Sequence, residues 1–290
     1  MSRELPIALA QYSSLPIESP LVEFASQAQG IVGNFSDVRL IAFPELHLLG
    51  SDLDPTREER LQDAAEPLDG SRVQSLAELA GDLGVWLVPG SICERGPKGE
   101  LFNTSLVLSP QGKLVASYRK VFPWRPYEPF DPGDQFVVAD LPGTGRIGLS
   151  ICYDSWFPEL TRHLAWMGAE VIINVVRTTT SDRAQELVLA RANAIVNQVF
   201  MVSVNCAGPV GTGQSLVVDP EGRIRVSSPD ASETVLTDVI DFDAVRVVRD
   251  HGTAGLNRVW SQFRDTDSPI PLPLYDGRIE PATWPPANFN

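Results

Sequence analysis

The sequence predicts an α/β fold in which two β-sheets pack against each other and helices cover their outer faces. Short β-branched and aliphatic runs alternate with segments of helical periodicity along the 290 residues. Many of these runs are almost continuously apolar, so the sheets that they form need cover on both faces. A chain of this length can bury about three quarters of the surface that its unfolded form exposes, enough for one large domain.

The predicted strands are apolar runs that mostly end at Gly, Pro, Asp or Asn. They cover residues 6–11, 38–43, 85–90, 104–109, 135–139, 146–151, 170–175, 199–204, 215–219 and 233–240. Helical spacing of apolar residues predicts helices over 20–33, 71–83, 158–168 and 182–198. The apolar face of the last helix is expected to run through Leu187, Leu189, Ala190, Ala194 and Ile195.

No linker divides the chain, so residues 1–290 are predicted to form a single domain with a carboxyl-terminal tail over 252–290. Pro and Gly are frequent in that tail, which also contains Trp260, Tyr275 and Trp284. Aromatic residues favour interfaces. We therefore expect the tail to pack on the domain or on a neighbouring subunit of a homodimer or larger homo-oligomer.

Composition restricts the partners and the compartment. Acidic residues outnumber basic ones by 37 to 23, giving a net charge of −14, and no basic stripe is present. Nucleic acid and anionic membranes are therefore excluded as expected partners. The three cysteines have no close pair and no histidine cluster beside them, which indicates a reducing compartment and no metal site. No secretory signal or membrane span is visible, so a cytoplasmic protein without a cofactor is expected.

Cys152 lies where an apolar run meets a helix-like segment, within residues 148–159. A thiol at the end of a buried strand faces the partial positive charge of helix N–H groups, which favours thiolate over thiol. Cys152 is therefore a candidate nucleophile. Most intracellular cysteines are small buried hydrophobic residues, so its neighbours must decide between the two interpretations.

Two further segments carry candidate catalytic residues. The strand over 38–43 stops at Pro44 and then presents Glu45, a candidate acid or base at the mouth of a sheet. Residues 118–133 place cations beside aromatics and prolines, which predicts an ordered loop containing Lys120 and Glu128.

Taken in order, these three segments resemble the Glu, Lys and Cys signatures of the nitrilase superfamily of carbon–nitrogen hydrolases. The resemblance rests on Phe43-Pro44-Glu45, on Arg119-Lys120 with Glu128, and on Cys152-Tyr153-Asp154 with Phe157-Pro158-Glu159. It implies a four-layer α-β-β-α sandwich and places the chain near the amidase and carbamoylase branches.

The same resemblance implies the roles of the candidate catalytic residues. Cys152 is the nucleophile that forms a thioester, and Glu45 transfers its proton. Lys120 and the backbone N–H of Tyr153 stabilise the oxyanion, and Glu128 orients Lys120 or the substrate nitrogen. A lysine between two carboxylates stays charged, so Lys120 is expected to act as an electrophile rather than a base.

The expected reaction is hydrolysis of a small neutral carboxamide to an acid and ammonia. Carbamoylases often have arginine three residues after the cysteine, whereas this chain has Ser155 there, which disfavours an acidic substrate. Arg125 or Arg177 could still bind a substrate carboxylate from another wall of the pocket. Hydrolysis of a nitrile or an N-carbamoyl compound, and acyl transfer, remain alternatives on the same scaffold. From a different class, an inactive binding protein or a redox-sensing thiol protein remains open.

The substrate pocket is expected to involve aromatic residues and the residues that follow the strand after Cys152. The candidates are Trp124, Tyr127, Tyr153, Trp156, Arg177 and Thr178. A cysteine–histidine pair has less support, because no local signature places His163 or His251 beside Cys152. His47 follows Glu45 by two residues and is either a pocket residue or a loop residue without a chemical role.

Overall fold

The computed structural model describes residues 3–50, 56–280 and 283, and it has two β-sheets packed together. The first sheet contains β1 (Glu4–Gln11), β2 (Leu40–Ala42), β3 (Trp86–Val88), β4 (Ser91–Arg95), β5 (Leu101–Leu108), β6 (Leu114–Arg119) and β13 (Thr234–Asp241). The second contains β7 (Val138–Leu141), β8 (Gly145–Ile151), β9 (Val171–Val176), β10 (Phe200–Asn205), β11 (Leu216–Val218) and β12 (Ile224–Ser227). The predicted two-sheet architecture is confirmed.

The helices are α1 (Leu21–Asn34), α2 (Arg57–Asp63), α3 (Ser71–Leu83), α4 (Pro158–Trp166), α5 (Arg183–Asn197) and α6 (Phe242–His251). Short 3-10 helices cover Cys152–Trp156, Val259–Ser261 and Pro273–Tyr275, and a small separate sheet pairs β14 (Ile270–Leu272) with β15 (Gly277–Ile279).

Strand β1 shows how the layers form. Its Leu5, Ile7 and Leu9 join a core cluster shared with strands of the second sheet, whereas Ala8 and Ala10 join a cluster with helices α1 and α3. Side chains alternate between the two faces of a strand, so one face of β1 contacts the other sheet and the opposite face contacts helices. With α4 and α5 packed on the second sheet, the layers follow the predicted α-β-β-α order.

Parallel strands at the centre of each sheet place their carboxyl ends together. In the first sheet β1, β2 and β3 are parallel neighbours, and in the second sheet β8, β9 and β10 are. Glu45 follows β2, Lys120 follows β6, Cys152 follows β8 and Thr178 follows β9. Ligands of open α/β sheets bind beyond the carboxyl ends of strands, and all four candidate residues lie at such ends.

Several elements were not predicted. Strands β4, β6 and β12, both tail strands, and helices α2 and α6 fall in segments that the sequence patterns left unassigned. The segment over 118–133 is an ordered loop only from Lys120 onward, since Tyr118 and Arg119 end β6. Each predicted strand and helix has a counterpart, with bounds that differ by up to three residues.

The predicted apolar face of α5 is confirmed at Ala190 and Ala194, which are buried, and is wrong at Ile195. Its buried residues are Arg183, Glu186, Ala190, Asn193, Ala194 and Asn197, while Ile195 is 47% exposed. Polar side chains occupy the inner face because they bond to the loops beneath: the Arg183 Nε donates to the carbonyl of Gly213 at 3.1 Å, and the Asn193 Nδ2 donates to that of Ser155 at 3.0 Å.

The described part of the tail lies against α4, α5 and α6. Trp260 is buried, its Nε1 donates to the carbonyl of Asn197 at 3.2 Å, and the guanidinium groups of Arg162 and Arg249 lie over its ring. The Trp166 indole donates to the carbonyl of Thr283 at 2.9 Å. Trp284 lies outside the described residues. Within the described ranges, every helix is too short or too polar to cross a membrane.

Candidate active site

Lys120 is the centre of a buried ionic cluster. Its side chain is fully buried, and its Nζ donates to the Glu45 Oε1 at 3.0 Å and to the two Glu128 oxygens at 2.7 and 2.9 Å. Burial disfavours the ammonium charge, but attraction to Glu45 and Glu128 outweighs it and raises the pKa of Lys120. Lys120 therefore stays protonated, in agreement with an electrophilic role.

Glu45 is held by one of its two oxygens. The Asn103 Nδ2 donates to Oε1 at 2.8 Å, so Oε1 accepts from both Asn103 and Lys120. Among the residues that the structure describes, no donor bonds to Oε2. A carboxylate oxygen without a donor is the more basic one, so Oε2 is the atom available to take a proton.

The backbone around Glu45 is fixed by close packing. The Glu45 N–H donates to the carbonyl of Val176 at 3.3 Å, which joins the ends of the two sheets. Gly90 has φ +87°, and a Cβ at this position would lie 1.8 Å from the carbonyl oxygen of Pro44. Only glycine fits there, because any side chain would displace the segment that presents Glu45.

The loop after β6 closes on itself and holds Glu128. The Trp124 N–H donates to the Glu128 Oε2 at 3.1 Å, and the Gly133 N–H donates to the carbonyl of Lys120 at 2.8 Å. A Cβ on Gly133 would lie 2.3 Å from the carbonyl oxygen of Arg119. The sequence feature that predicted an ordered loop, its aromatics and prolines, thus corresponds to a loop that positions the second glutamate.

Cys152 occupies a tight turn at the end of β8. Its φ is +48°, which non-glycine residues rarely adopt and which is often found at active sites. The residue is partly exposed, and its Sγ lies 3.9 Å from the Thr178 Oγ1. The turn therefore presents the sulfur beyond the sheet rather than within it.

The structure favours the thiol of Cys152 over the thiolate that its place at a strand end suggested. Burial raises the pKa of the Cys152 thiol well above its ordinary value, and the charges of Glu45, Glu186 and Glu128 raise it further against the opposing effect of Lys120. The segment after Cys152 is a five-residue 3-10 helix, and α4 begins only at Pro158, so the positive helix end that we expected is small or distant. The thiol is therefore protonated at rest.

The electrostatic effects on Cys152 also show that the candidate catalytic residues lie close to one another. Glu45, Lys120 and Glu128 all act electrostatically on Cys152, so the structure places the four predicted catalytic side chains around one site. A protonated thiol beside a carboxylate favours proton transfer coupled to attack, rather than attack by a thiolate formed beforehand.

Behind Thr178 lies a buried polar network that was not predicted. The Thr178 hydroxyl donates to the Glu186 carboxylate at 2.7 Å, and Glu186 pairs with Arg183 at 3.0 Å. Because the hydroxyl proton is directed to Glu186, Thr178 faces the Cys152 sulfur with its lone pairs. The only sequence signal was the presence of Arg183 and Glu186 within a helix that must pack on a sheet.

The other pocket candidates are two aromatic pairs and Arg177. Trp124 packs on Tyr127 with ring centres 4.5 Å apart, and Tyr127 is 66% exposed on the loop. Tyr153 and Trp156 lie 6.0 Å apart along the 3-10 helix, and the Trp156 Nε1 is buried without a hydrogen-bond partner among the described residues. Arg177 directly precedes Thr178, and the charge of Glu45 acts on its guanidinium.

Asp154 and Asn103 are the other site residues that sequence reasoning missed. Asp154 is fully buried, and its burial, only partly offset by the charge of Lys120, raises its pKa to about 7. Asn103 lies in β5, where all eight residues are buried. A buried amide in an apolar strand needs a partner, and that requirement was the available signal.

The histidines lie apart from the nucleophile. His47 is fully buried, its Nε2 lies 2.7 Å from the Gln27 Oε1, and burial lowers its pKa to about 3. The His163 Nδ1 contacts the carbonyl of Glu159 within α4, and His251 ends α6. In the described ranges, no three His, Cys, Asp or Glu side chains are arranged to hold a metal ion.

Comparison with known proteins identifies relatives along most of the chain. A family model described as carbon-nitrogen hydrolase matches residues 7–250. A formamidase of Pseudomonas syringae pv. tomato is 32% identical over 257 residues, which cover 84% of this chain and 74% of that protein. A formamidase of Bacillus thuringiensis is 32% identical over 232 residues, 76% of this chain and 68% of that protein.

Solved structures of similar proteins support the same family. Saccharomyces cerevisiae Nit3, a member of branch 10 of the nitrilase superfamily, superposes with a TM-score of 0.76 and 27% identity, covering 85% of this chain and 93% of Nit3. An amidase from Nesterenkonia sp. AN1 in complex with butyramide has a TM-score of 0.69 and 26% identity over 86% of this chain and 95% of the amidase. Another form of that amidase carries the acetamide moiety of fluoroacetamide on its active-site cysteine.

Proposed function

The chain belongs to the carbon–nitrogen hydrolase family, and from that premise we propose that it hydrolyses a small neutral carboxamide through a thioester on Cys152. The observation that carries the proposal is the buried cluster of Glu45, Lys120 and Glu128 acting on the thiol of Cys152. This cluster supplies the proton acceptor, the fixed positive charge and the nucleophile that amide cleavage requires.

In the first half of the reaction, the Cys152 sulfur attacks the carbonyl carbon while the Glu45 Oε2 accepts the thiol proton. The negative charge moves to the carbonyl oxygen. Lys120 makes two hydrogen bonds to the same Glu128 carboxylate, so one of its protons can turn to that oxygen while the other keeps the pair intact. The backbone N–H of Tyr153 is the second proposed donor to the oxyanion.

Collapse of the tetrahedral intermediate breaks the carbon–nitrogen bond. Glu45 returns its proton to the departing nitrogen, which leaves as ammonia, and the acyl group remains on sulfur. A water molecule then attacks the thioester with Glu45 as base, and the acid product leaves with the thiol restored. The sum is one amide and one water converted to one carboxylic acid and one ammonia.

A small neutral substrate is supported by the relatives and by the nucleophile turn. The formamidases act on the smallest amide, and the Nesterenkonia amidase binds butyramide. At the position where carbamoylases often have arginine, Ser155 is buried and its hydroxyl donates to the carbonyl of Cys152 at 3.0 Å. No cation is supplied from this position to hold a substrate carboxylate. Trp124, Tyr127, Tyr153, Trp156, Arg177 and Thr178 remain the proposed pocket residues.

The test is release of ammonia and acid from matched panels of amides, nitriles and N-carbamoyl compounds of one to four carbons. We expect turnover of the amides by the wild-type protein and none by Cys152→Ala. Acid formed from nitriles alone, or from N-carbamoyl compounds alone, would replace the amide assignment by the corresponding activity. Hydroxamate formed in the presence of hydroxylamine would measure acyl transfer by the same thioester.

We further propose a cytoplasmic homodimer or larger homo-oligomer. The outer surface of α4 and α5 exposes several large apolar residues, Trp166, Val188, Ile195 and Val196. Exposed apolar residues on adjacent helices favour a protein partner. Cys93, Cys152 and Cys206 are free thiols, which suits a reducing compartment. Light scattering on the purified protein gives the subunit number, and a monomer at micromolar concentration would contradict the oligomer.

A further inference from the structure

Asp154 lies between the segments that carry Lys120 and Cys152. Its Oδ2 accepts hydrogen bonds from the Tyr118 hydroxyl at 2.8 Å and from the Ile151 N–H at 2.9 Å, and its Oδ1 accepts from the Phe122 N–H at 3.0 Å. Tyr118 and Phe122 lie two residues on either side of Lys120, and Ile151 directly precedes Cys152. One carboxylate therefore contacts both flanks of the lysine and the strand end that leads to the nucleophile.

We propose that Asp154 is a positioning residue that fixes the separation of Lys120 and Cys152, so that both reach the same substrate carbonyl group. The proposal rests on the proposed amide hydrolysis for its catalytic meaning. Asp154 itself contacts neither Lys120 nor the sulfur through a hydrogen bond in the structure, and it acts through the backbone on each side.

The two segments belong to different sheets. Tyr118 is the last residue but one of β6 in the first sheet, and Ile151 ends β8 in the second. Lys120 and Cys152 are therefore held on separate layers, and sliding of one sheet over the other would change their separation. A fully buried carboxylate that bonds to both layers prevents that movement.

Only a carboxylate satisfies this site. The Ile151 and Phe122 donors are backbone N–H groups, which no side-chain substitution removes, and they bond to different oxygens of Asp154. An asparagine would turn an NH2 group toward one of the two donors and leave that N–H group buried without an acceptor. One of the two segments would then have to move.

The turn at Cys152 gives an independent reason for such a residue. With φ of +48°, Cys152 holds a backbone conformation that returns to an extended one unless its neighbours prevent it. The bond from the Ile151 N–H to the Asp154 side chain closes the turn across Cys152. The same carboxylate that reaches the lysine loop thus also holds the nucleophile in its strained position.

The experiment compares Asp154→Asn and Tyr118→Phe with the wild-type protein, using acetamide turnover per alkylatable Cys152 and amide hydrogen exchange. The Tyr118→Phe protein keeps both hydrogen bonds from backbone N–H groups to Asp154. It is the test variant if Asp154→Asn does not fold. The control is Glu170→Gln, because Glu170 is another largely buried carboxylate, bonded to Arg3 at 2.9 Å at the amino end of β9.

For Asp154→Asn we expect kcat per active thiol to fall about 100-fold with KM nearly unchanged, because displacement of reacting groups by about 1 Å has effects of this size. Exchange should speed up in peptides covering both 118–124 and 148–156. Tyr118→Phe should lower kcat less and loosen only the first peptide. Glu170→Gln should leave kcat per site within about twofold of wild type.

A purely structural role predicts fewer active thiols but unchanged kcat for each, and that result would overturn the proposal. Unchanged exchange in either peptide of Asp154→Asn would overturn it as well. If the wild-type protein releases no ammonia, the amidase assignment fails separately. Hydrogen exchange then still decides whether Asp154 links the two segments.

Discussion

Asn103 helps to make the two carboxylate oxygens of Glu45 different in their hydrogen bonding. It donates to Oε1 together with Lys120, so that the second oxygen is directed away from both donors. Asn103 also ties this arrangement to β6, since its carbonyl accepts the backbone N–H of Lys120 at 2.9 Å. One residue of a buried strand thus orients the proposed base and supports the proposed electrophile.

We expect Asn103→Ala to lower kcat about tenfold, because Glu45 keeps its bond to Lys120 but loses the donor that sets its rotation. Asn103→Asp should be worse, by about another tenfold, since it places a second carboxylate 2.8 Å from Glu45. Both are measured by ammonia release at saturating amide. Equal activity of the two variants would show that charge at position 103 does not reach Glu45.

His47 makes the stability of the protein dependent on pH. Its pKa is lowered by burial from 6.5 to about 3, so the unfolded chain binds a proton below about pH 6.5 while the folded chain does not. The free energy of unfolding therefore falls as pH decreases through this window. Between pH 7 and pH 5 the loss from this histidine is about 2 kcal/mol.

Urea unfolding of the wild-type protein and His47→Gln at pH 7 and pH 5 measures this loss. We expect the wild-type protein to lose about 2 kcal/mol more than the variant. Asp154, whose pKa is raised to about 7, has the opposite sign in the same window, so the difference between the two proteins is the useful quantity. Equal losses would contradict the prediction.

At the scale of elements, α6 is stabilised at its start by Asp241, which lies one residue beyond the predicted strand over 233–240. The Asp241 side chain accepts the Asp243 N–H at 2.9 Å, and the buried face of the helix contains Phe242, Val245, Val248 and Arg249. We expect Asp241→Ala to lower the free energy of unfolding by about 1 kcal/mol. Chemical denaturation measures it.

The rate of amide hydrolysis should be unchanged in that variant, because Asp241 ends β13 rather than any strand that carries a site residue. A loss of activity without loss of stability would contradict this assignment. Asp241→Asn, which keeps a side-chain acceptor, is the matched control and should retain most of the stability.

Elements with a clear periodic pattern were predictable, and elements that depend on tertiary partners were not. Helix α3 was predicted with its observed bounds, since Gly70 and Gly84 flank an amphipathic segment. Strand β4 was missed because Glu94 and Arg95 interrupt it, and Glu94 is buried only through its bonds to Thr104 and Arg119. The polar residues on the inner face of α5 were missed for the same reason, because they are paired with segments far away in sequence.

The site residues also divide into those with a local sequence pattern and those that depend on tertiary contacts. Glu45, Lys120, Glu128 and Cys152 could be proposed from the sequence because each lies in a distinctive local motif. In the structure Lys120 bonds to both glutamates, and the charges of all three act on the Cys152 thiol. Asn103, Asp154 and Glu186 could not, because their roles depend on contacts between segments 30 or more residues apart or on the direction of one hydroxyl. The protonation state of Cys152 also required the positions of three carboxylates that no local pattern gives.

At the scale of the whole molecule, the proposed catalytic groups are divided between the two sheets. Glu45 and Lys120 follow strands of the first sheet, and Cys152 and Thr178 follow strands of the second. The relative position of the sheets is set by the apolar core between them, where residues of β1 and β2 meet residues of β8 and β9. Packing far from the site therefore contributes to its geometry.

The tail is fixed to the outer helix layer through Trp260, which is 1% exposed. We expect Trp260→Ala to lower the free energy of unfolding by about 3–5 kcal/mol, because it removes a large buried ring and its bond to the carbonyl of Asn197. Trp260→Phe should cost less. Leu256→Ala, at a tail position that is 76% exposed, is the control and should change stability by less than about 0.5 kcal/mol. Denaturation of Trp260→Ala at the wild-type midpoint would contradict the prediction.

The excess of carboxylates over ammonium groups around Cys152 also affects how a catalytic cycle ends. Glu45 and Glu128 share the single charge of Lys120, whereas Glu186, which accepts the hydroxyl of Thr178, is paired with Arg183. An uncharged amide enters this crevice without electrostatic opposition, whereas the anion formed on hydrolysis meets the carboxylate charge that Lys120 leaves unbalanced. The charge of the crevice thus favours release of the acid product. It also hinders the anion from binding again and so slows the reverse reaction.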